Sequence, residues 1–330
     1  MQRGGWDDDD TDGYLHIMGV ETARAHSLAD HDAAVIARRA HYAAFFGDVL
    51  PPEGYGVVVG NCQAESLRLV ISSDALPTVR VPAVHELTAD DAGRLHRLLA
   101  GASFLVAQPV RDDYRGMPLG TAQLRRSLPS SARTVTVPAV RFAGLHPFQA
   151  VLRLPDFPED PPLVAYHDVR TVARAAGLDV AAALPARAVQ EIAAASRSEL
   201  RRREGLGLDV AASDLLEPVV DDLARTVNHP GNALFLPLGA RLVAALGAPG
   251  REVDPGRPIL ASVRAPLEEW VVDAWGLDAT PRPDWIVGGE NVPADVVRDA
   301  QLAYYAERPA LLAAVVDRLT PLLRTWSAAA

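Results

Sequence analysis

Three short apolar runs separated by segments of helical spacing constrain this chain more than any other feature. Val57-Val58-Val59 reads as a buried strand, Ser103 to Gln108 as a second one closed by Pro109, and Thr134 to Val140 as a third. Between them Gln63 to Ser72, with Leu67, Val70 and Ile71 on one side, and the stretches 86–100 and 118–128 read as helices. Strands that alternate with helices run parallel and need crossover connections, so a three-layer α/β arrangement is predicted.

Beyond about residue 150 strands are expected to be scarce. Val169 to Ala176, Ala186 to Glu204, Ser213 to Thr226 and Asn232 to Leu246 have helical spacing, as do 265–275, 293–306 and 308–327, with a Pro/Gly-rich stretch at 248–258. Residues 1–15 are acidic and predicted to be a disordered leader, followed by a helical stretch from Val20 to Phe46. The expected organisation is an α/β core over 16–150 and a helical portion over 151–330 that shares its core and acts as a lid.

Composition removes several function classes. The 32 positive residues are all arginine and face 42 acidic ones, a net charge of −10 that argues against nucleic acid or an anionic membrane as partner. Without lysine the chain is neither a P-loop nucleotide hydrolase nor a Schiff-base enzyme. The single cysteine rules out an intrachain disulfide and a multi-cysteine zinc site, and the nine histidines lack metal-ligand spacing, so no metal is expected. An acidic start and the absence of a long apolar run argue against secretion and membrane insertion, and place the chain in the cytoplasm.

Cys62 is the residue that carries chemistry. It follows Gly60-Asn61 at the end of a strand and opens a helix, where the helix dipole favours thiolate and would lower the thiol pKa. The backbone N–H groups of Cys62 and Gln63 would meet a developing oxyanion, as in a nucleophile elbow; the alternative is a buried, inert cysteine. His16, His26, His31, His41, His85 and His96 read as solvated or surface residues, whereas His146, His167 and His229 occupy turn-like settings. Asp221 and Asp222 lie close enough before His229 to orient it, while Asp90-Asp91 reads as a solvated pair. The run Arg197 to Arg203 either binds phosphate or pairs with Glu199 and Glu204.

In chain order, Val-Val-Val-Gly60-Asn61-Cys62-Gln63, Ala107-Gln108-Pro109-Val110, Phe142-Ala143-Gly144-Leu145-His146-Pro147 and Asn228-His229-Pro230-Gly231-Asn232 together resemble the WcbI-like polysaccharide-biosynthesis acetyltransferase family, over roughly residues 55–270. The resemblance implies an SGNH/flavodoxin-like parallel sheet with a large helical C-terminal elaboration, Cys62 standing where the SGNH hydrolases have serine. It also implies Cys62 as nucleophile and His229 as base; Asp222, from its nearness in sequence to His229, is the candidate orienting acid. Asn61, Gln63, Gln108, His146 and Asn228 would line the oxyanion and substrate cleft; Arg111, Tyr114, Arg201 and Arg202 are candidates for cofactor phosphates. Coenzyme A or acyl-CoA is the implied co-substrate, and the acceptor is a hydroxyl of a surface-polysaccharide sugar or a specialised metabolite of natural product biosynthesis. A thioesterase or esterase with the same residues, and a non-catalytic CoA-binding module, are the alternatives.

Overall fold

The computed structural model describes residues 28–152 and 154–327. The acidic leader, His16, His26 and the start of the Val20–Phe46 segment lie outside the described residues. Helices α1 (Leu28–His41) and α2 (Ala43–Phe46) precede β1 (Gly56–Val59), α3 (Gln63–Ile71) and β2 (Thr78–Val79). The front portion continues with α4 (Ala89–Leu99), β3 (Phe104–Ala107), α5 (Thr121–Arg125) and β4 (Arg133–Thr136). These four strands form one parallel sheet in the order β2-β1-β3-β4. That is the start of the doubly wound flavodoxin-type order, in which the chain reverses direction of growth between β1 and β3.

The rest of the chain holds β5 (Gln149–Ala150), β6 (His167–Asp168), α6 (Val169–Ala175), α7 (Ala186–Glu204), β7 (Ala224–Thr226), β8 (His229–Pro230) and α8 (Asn232–Ala245). It ends with β9 (Val263–Arg264), α9 (Glu269–Trp275), β10 (Trp285–Val287), β11 (Glu290–Val292), α10 (Ala294–Ala306) and α11 (Pro309–Ser327). Here the strands pair antiparallel, β5 with β6, β7 with β8, and β11-β10-β9 as a three-stranded ribbon. At two or three residues each they are too short for alternation to register. The helix expected over Ser213 to Thr226 is a correction: a tight turn at Ser213–Leu216 gives way to β7. Pro218 interrupts any helix there because it has no N–H to donate.

Side-chain alternation sorts the sheet into two faces. Val57, Val59, Leu105 and Ala107 pack with Phe45 of α2, Leu95 and Leu99 of α4 and Leu124 of α5. Val58, Val106 and Val135 pack on the opposite side with Leu67, Val70 and Ile71 of α3, Ala193 and Leu200 of α7, and Leu234, Leu238 and Leu242 of α8. Helices thus cover both faces, the arrangement a parallel sheet requires. Truncating a fully buried side chain such as Leu67 to alanine would cost about 2–5 kcal/mol. Val189 of α7 joins a further core with Val169 and Val172 of α6 and Leu311, Val315 and Leu319 of α11.

Asp91 departs from the solvated reading of its pair. It is buried, caps α4 in a reciprocal pair with Thr88, and takes an ion pair from Arg38 at 2.9 Å. Among the described residues no helix is long and apolar enough to cross a membrane.

Candidate active site

Because the four strands are parallel, the loops that follow them all emerge at one sheet edge. The turn Gly60-Asn61-Cys62 follows β1, a short turn Val84–Glu86 follows β2, the loop 108–120 follows β3, and Val140-Arg141 follows β4. Cys62 and Gln108 bracket the reversal between β1 and β3, the place where open α/β sheets form their ligand crevice.

Hydrogen bonds from neighbouring loops hold the cysteine turn rigidly. The β1–β3 ladder ends with Gln108 N–H donating to the Val59 carbonyl at 2.9 Å. The Gln108 side chain then extends that ladder, its Oε1 accepting from Asn61 N–H at 2.9 Å. A Cβ on Gly60 would sit 2.2 Å from that Oε1, so only glycine lets the two loops approach. Gln63 is buried and saturated: Nε2 donates to the carbonyls of Val140 (2.7 Å) and Asn228 (2.9 Å), and Oε1 accepts from Val140 N–H (2.9 Å) and Gln108 Nε2 (3.3 Å). The Gln63 and Gln108 side-chain amides are thus engaged in holding the cysteine turn.

One of the two expected oxyanion donors is engaged within the turn itself. Gln63 N–H donates to Asn61 Oδ1 at 2.9 Å, and Ala64 N–H to the Asn61 carbonyl at 2.9 Å. Fixing the Asn61 oxygen in this way leaves its Nδ2 as the side-chain donor of the turn.

Cys62 is half-buried at the N-cap of α3, directly before its first residue. Burial pushes its thiol up to about 12, outweighing the downward pull of the Cys62 and Gln63 backbone N–H groups and of the Arg141 charge; the Glu86 charge adds to the rise. The expected lowering by the helix start is thus reversed: desolvation of a thiolate exceeds what two N–H dipoles return. The Glu86 carboxyl itself sits above its ordinary value, because burial outweighs Arg38, a Tyr42 hydrogen bond and Arg80.

The two groups whose charge reaches the thiol are not apparent from the sequence. Nor is His85, which is buried rather than at the surface, on the turn that Val84 N–H ties to the Gly60 carbonyl at 2.8 Å. Arg115 donates to the His85 carbonyl at 2.7 Å from the loop after β3. That loop is strained: Asp113 (φ 55°) and Arg115 (φ 52°) are non-glycine residues in the left-handed region, flanking the buried Tyr114. Arg111 is exposed on the same loop.

The histidines of the later motifs lie elsewhere. His229 is fully buried; its ring meets Tyr166 edge-on at 6.3 Å and is hydrogen-bonded by the Val263 backbone, and burial pushes it down to about 3. Asp222 does not orient it. The Asp222 carboxylate accepts from Arg225 Nη2 at 2.7 Å and from Asn232 N–H at 2.9 Å, closing the start of α8. His146 is buried with its ring nitrogens 3.1 Å from the Pro266 and Ala224 carbonyls, and burial pushes it down to about 4. Asn228 contributes its carbonyl to Gln63, while its Oδ1 accepts from the Tyr166 hydroxyl at 3.0 Å. His167 faces the Tyr305 hydroxyl at 2.6 Å.

Arg201 and Arg202 are exposed near the end of α7, and Arg202 makes two 2.8 Å bonds to Glu199. The charged-face reading of the Arg197–Arg203 run describes Arg202. Glu204 instead accepts from Ala212 and Ser213 N–H. Among the described residues no group of three or more His, Cys, Asp or Glu side chains is placed to hold a metal ion.

Comparison with known proteins bears on this edge. Among curated proteins none matches the chain significantly. A solved structure of WcbI, described as a novel polysaccharide biosynthesis enzyme in its native form without a disulfide bond between coenzyme A and one of its cysteines, is similar in fold. It superposes with a TM-score of 0.71 at 20% identity, over 84% of this chain and 98% of that one. The family model for the polysaccharide biosynthesis enzyme WcbI matches residues 55–251, from the start of β1 past the end of α8. A match over more than half the sequence, enclosing the cysteine turn and its buttress, places this chain in the WcbI family of polysaccharide biosynthesis enzymes.

Proposed function

We propose that this polysaccharide-biosynthesis enzyme is an acyltransferase that takes an acyl group from acyl-CoA and delivers it to a glycan hydroxyl. The observation that carries the reading is the half-buried Cys62 thiol, held at the reversal point of a parallel sheet by the Gln63–Gln108–Val140 hydrogen bonds. Coenzyme A suits the residues present: a thiol at the crevice, and arginines on the adjoining loops, Arg141 after β4 and Arg111 and Arg115 after β3. Those guanidinium groups would take the phosphates. The description of the WcbI relative, which names coenzyme A together with a cysteine, supports the pairing.

In the covalent version Cys62 Sγ bonds to the thioester carbonyl carbon as that carbon's bond to the donor sulfur breaks. The Cys62 proton passes through a base on the His85–Glu86 turn to the departing sulfur. Acceptor oxygen then bonds to the carbonyl carbon, the bond to Cys62 breaks, and the hydroxyl proton returns to Cys62. Asn61 Nδ2 would steady the negative oxygen. A base at this edge replaces His229, whose ring is sealed in the interior. Because the thiol is pushed up to about 12, its proton must leave as attack occurs rather than beforehand.

That same observation favours a second version, in which the acceptor attacks acyl-CoA directly and the protonated Cys62 only polarises the carbonyl. Intact-protein mass spectrometry after incubation with acetyl-CoA separates them. An acetyl increment lost in Cys62→Ala supports the covalent route. No increment, with transfer abolished in the variant, supports the direct one. Acetate released at the same rate with and without glycan acceptor would make the protein a thioesterase instead, and binding of CoA without either product would make it a binding module.

A further inference from the structure

The helix pair α1–α2 lies outside the family match, which begins at residue 55, yet it reaches the thiol edge. Phe45 of α2 anchors the pair in the same core as Leu95 and Leu99 of α4, and Arg38 of α1 is tied to the buried Asp91 at 2.9 Å. Between the two helices stands Tyr42. Its N–H donates to the Arg38 carbonyl at 3.1 Å, and its ring meets His41 edge-on at 4.6 Å. The guanidinium groups of Arg38 and Arg80 lie 6.0 Å and 5.8 Å from the ring centre. Held in this way, the Tyr42 side chain hydrogen-bonds to the Glu86 carboxylate. Burial pushes the phenol up to about 12, with the Glu86 charge adding to the rise, so the hydroxyl keeps its proton and is the donor.

Glu86 ends the short turn after β2, and that turn is pinned on two further sides. Val84 N–H donates to the Gly60 carbonyl at 2.8 Å, in the turn that carries Cys62, and Arg115 donates to the His85 carbonyl at 2.7 Å. The groups that act on Glu86 are Arg38 and Tyr42 from the helix pair and Arg80 from beyond β2, itself paired with Glu65 at 3.0 Å. The Glu86 charge in turn acts on the Cys62 thiol. A carboxylate fixed through both its main chain and its side chain has its direction set before any substrate arrives.

We propose that Glu86 accepts the Cys62 proton, and that Tyr42 is a positioning residue that holds the Glu86 carboxylate for that transfer. This assignment rests on the covalent version of acyl transfer and names its base. The S–H bond breaks as Cys62 Sγ bonds to the thioester carbonyl carbon; the proton rests on a Glu86 oxygen and then passes to the departing donor sulfur. The N-terminal helix pair thereby belongs to the site.

Two readouts on the full chain test this. The first is the rate at which saturating acetyl-CoA loads an acetyl group on Cys62, followed by intact-protein mass spectrometry. Glu86→Gln should slow loading by about 10²-fold or more, and Tyr42→Phe by about tenfold, with the half-saturating acetyl-CoA concentration unchanged. Losing the phenol's hydrogen bond raises the Glu86 carboxyl, so the acid limb of loading should move to higher pH in Tyr42→Phe. The second readout, alkylation by iodoacetamide, needs no acetyl-CoA and should run the other way. Without the Glu86 charge the thiol ionises more easily, so Glu86→Gln should react about two- to fivefold faster than the parent. That gap should close as pH falls through the Glu86 titration, and close at a higher pH when both proteins also carry Tyr42→Phe. Absence of loading in the parent would overturn the covalent reading and the proton transfer with it. Loading that Glu86→Gln leaves intact, or an alkylation gap that closes at the same pH with and without the Tyr42 hydroxyl, would overturn this assignment alone.

Discussion

Two polar clusters in this molecule are built from similar residue types and do opposite things. At the sheet edge, Cys62, Asn61, His85, Glu86 and Arg141 are gathered on loops that parallel strands deliver to one side. In the interior, His229, His146, Asn228 and Tyr166 sit on or beside short antiparallel ribbons and the loops between them, and lie almost entirely out of solvent. The edge keeps charges that act on a half-buried thiol, whereas the interior has its imidazoles pushed down to about 3 and about 4. Polar side chains there pair with carbonyls and serve as cement. Access separates the two clusters: Cys62 at the edge is partly exposed, whereas His146 and His229 are buried.

Acid sharpens this contrast most. Both interior histidines have folded pKa values below the unfolded 6.5, so the folded state resists protons that the unfolded state accepts. Their stabilising contribution is complete above about pH 6.5 and is lost as pH falls toward 4 and then 3. Each accounts for roughly 3–5 kcal/mol over the full window. Urea unfolding from pH 7 to pH 4 should show this fall, and His229→Gln should flatten its slope. An unchanged slope would mean that the ring titrates normally.

Cys62→Ala comes next. Release of free thiol from acetyl-CoA in the presence of acceptor should drop by about 10³-fold or more while unfolding stays within about 1 kcal/mol of the parent. Conversely, His229→Ala should lose roughly 2–4 kcal/mol of stability. The fraction that remains folded should turn over within a few-fold of the parent. A loss of rate beyond its loss of fold would move His229 from interior to site and erase the distinction.

The smallest effect concerns Arg141, whose charge pulls the thiol down. In Arg141→Ala the thiol should rise further. Alkylation by iodoacetamide at pH 9 should slow by about two- to fivefold, with the parent itself slower than a simple thiol and accelerating as pH climbs. Parity between variant and parent would detach Arg141 from Cys62.

The Gly60-Asn61-Cys62 turn is legible in the sequence because every signal for it is local: three β-branched residues, a glycine and asparagine, then helical spacing. The alternation of strands and helices points to the parallel sheet for the same reason. His85, Glu86 and Arg141 are not legible as site residues, since the two-residue β2 leaves no periodic trace and only the strand order brings its loop beside β1. Arg141 carries one usable signal, its place directly after Val140 at the end of the third expected strand. His229 misleads because a Pro-flanked histidine reads as a loop, whereas here it begins β8 inside a core. Asp222 misleads for a related reason, being near in sequence to His229 but committed to a helix start.

Helix α7 runs for 19 residues between two interiors, giving Val189 to one and Ala193 and Leu200 to the other. It works as a through-bolt. Cutting the chain near residue 150, where the motif-rich front ends, would strip α7 and α8 from the face of Val58, Val106 and Val135 and leave α3 as its only helix there among the described residues. The edge that carries Cys62 thus leans on helices supplied from beyond residue 150, and engineers seeking a compact version would have to rebuild that part of the roof first.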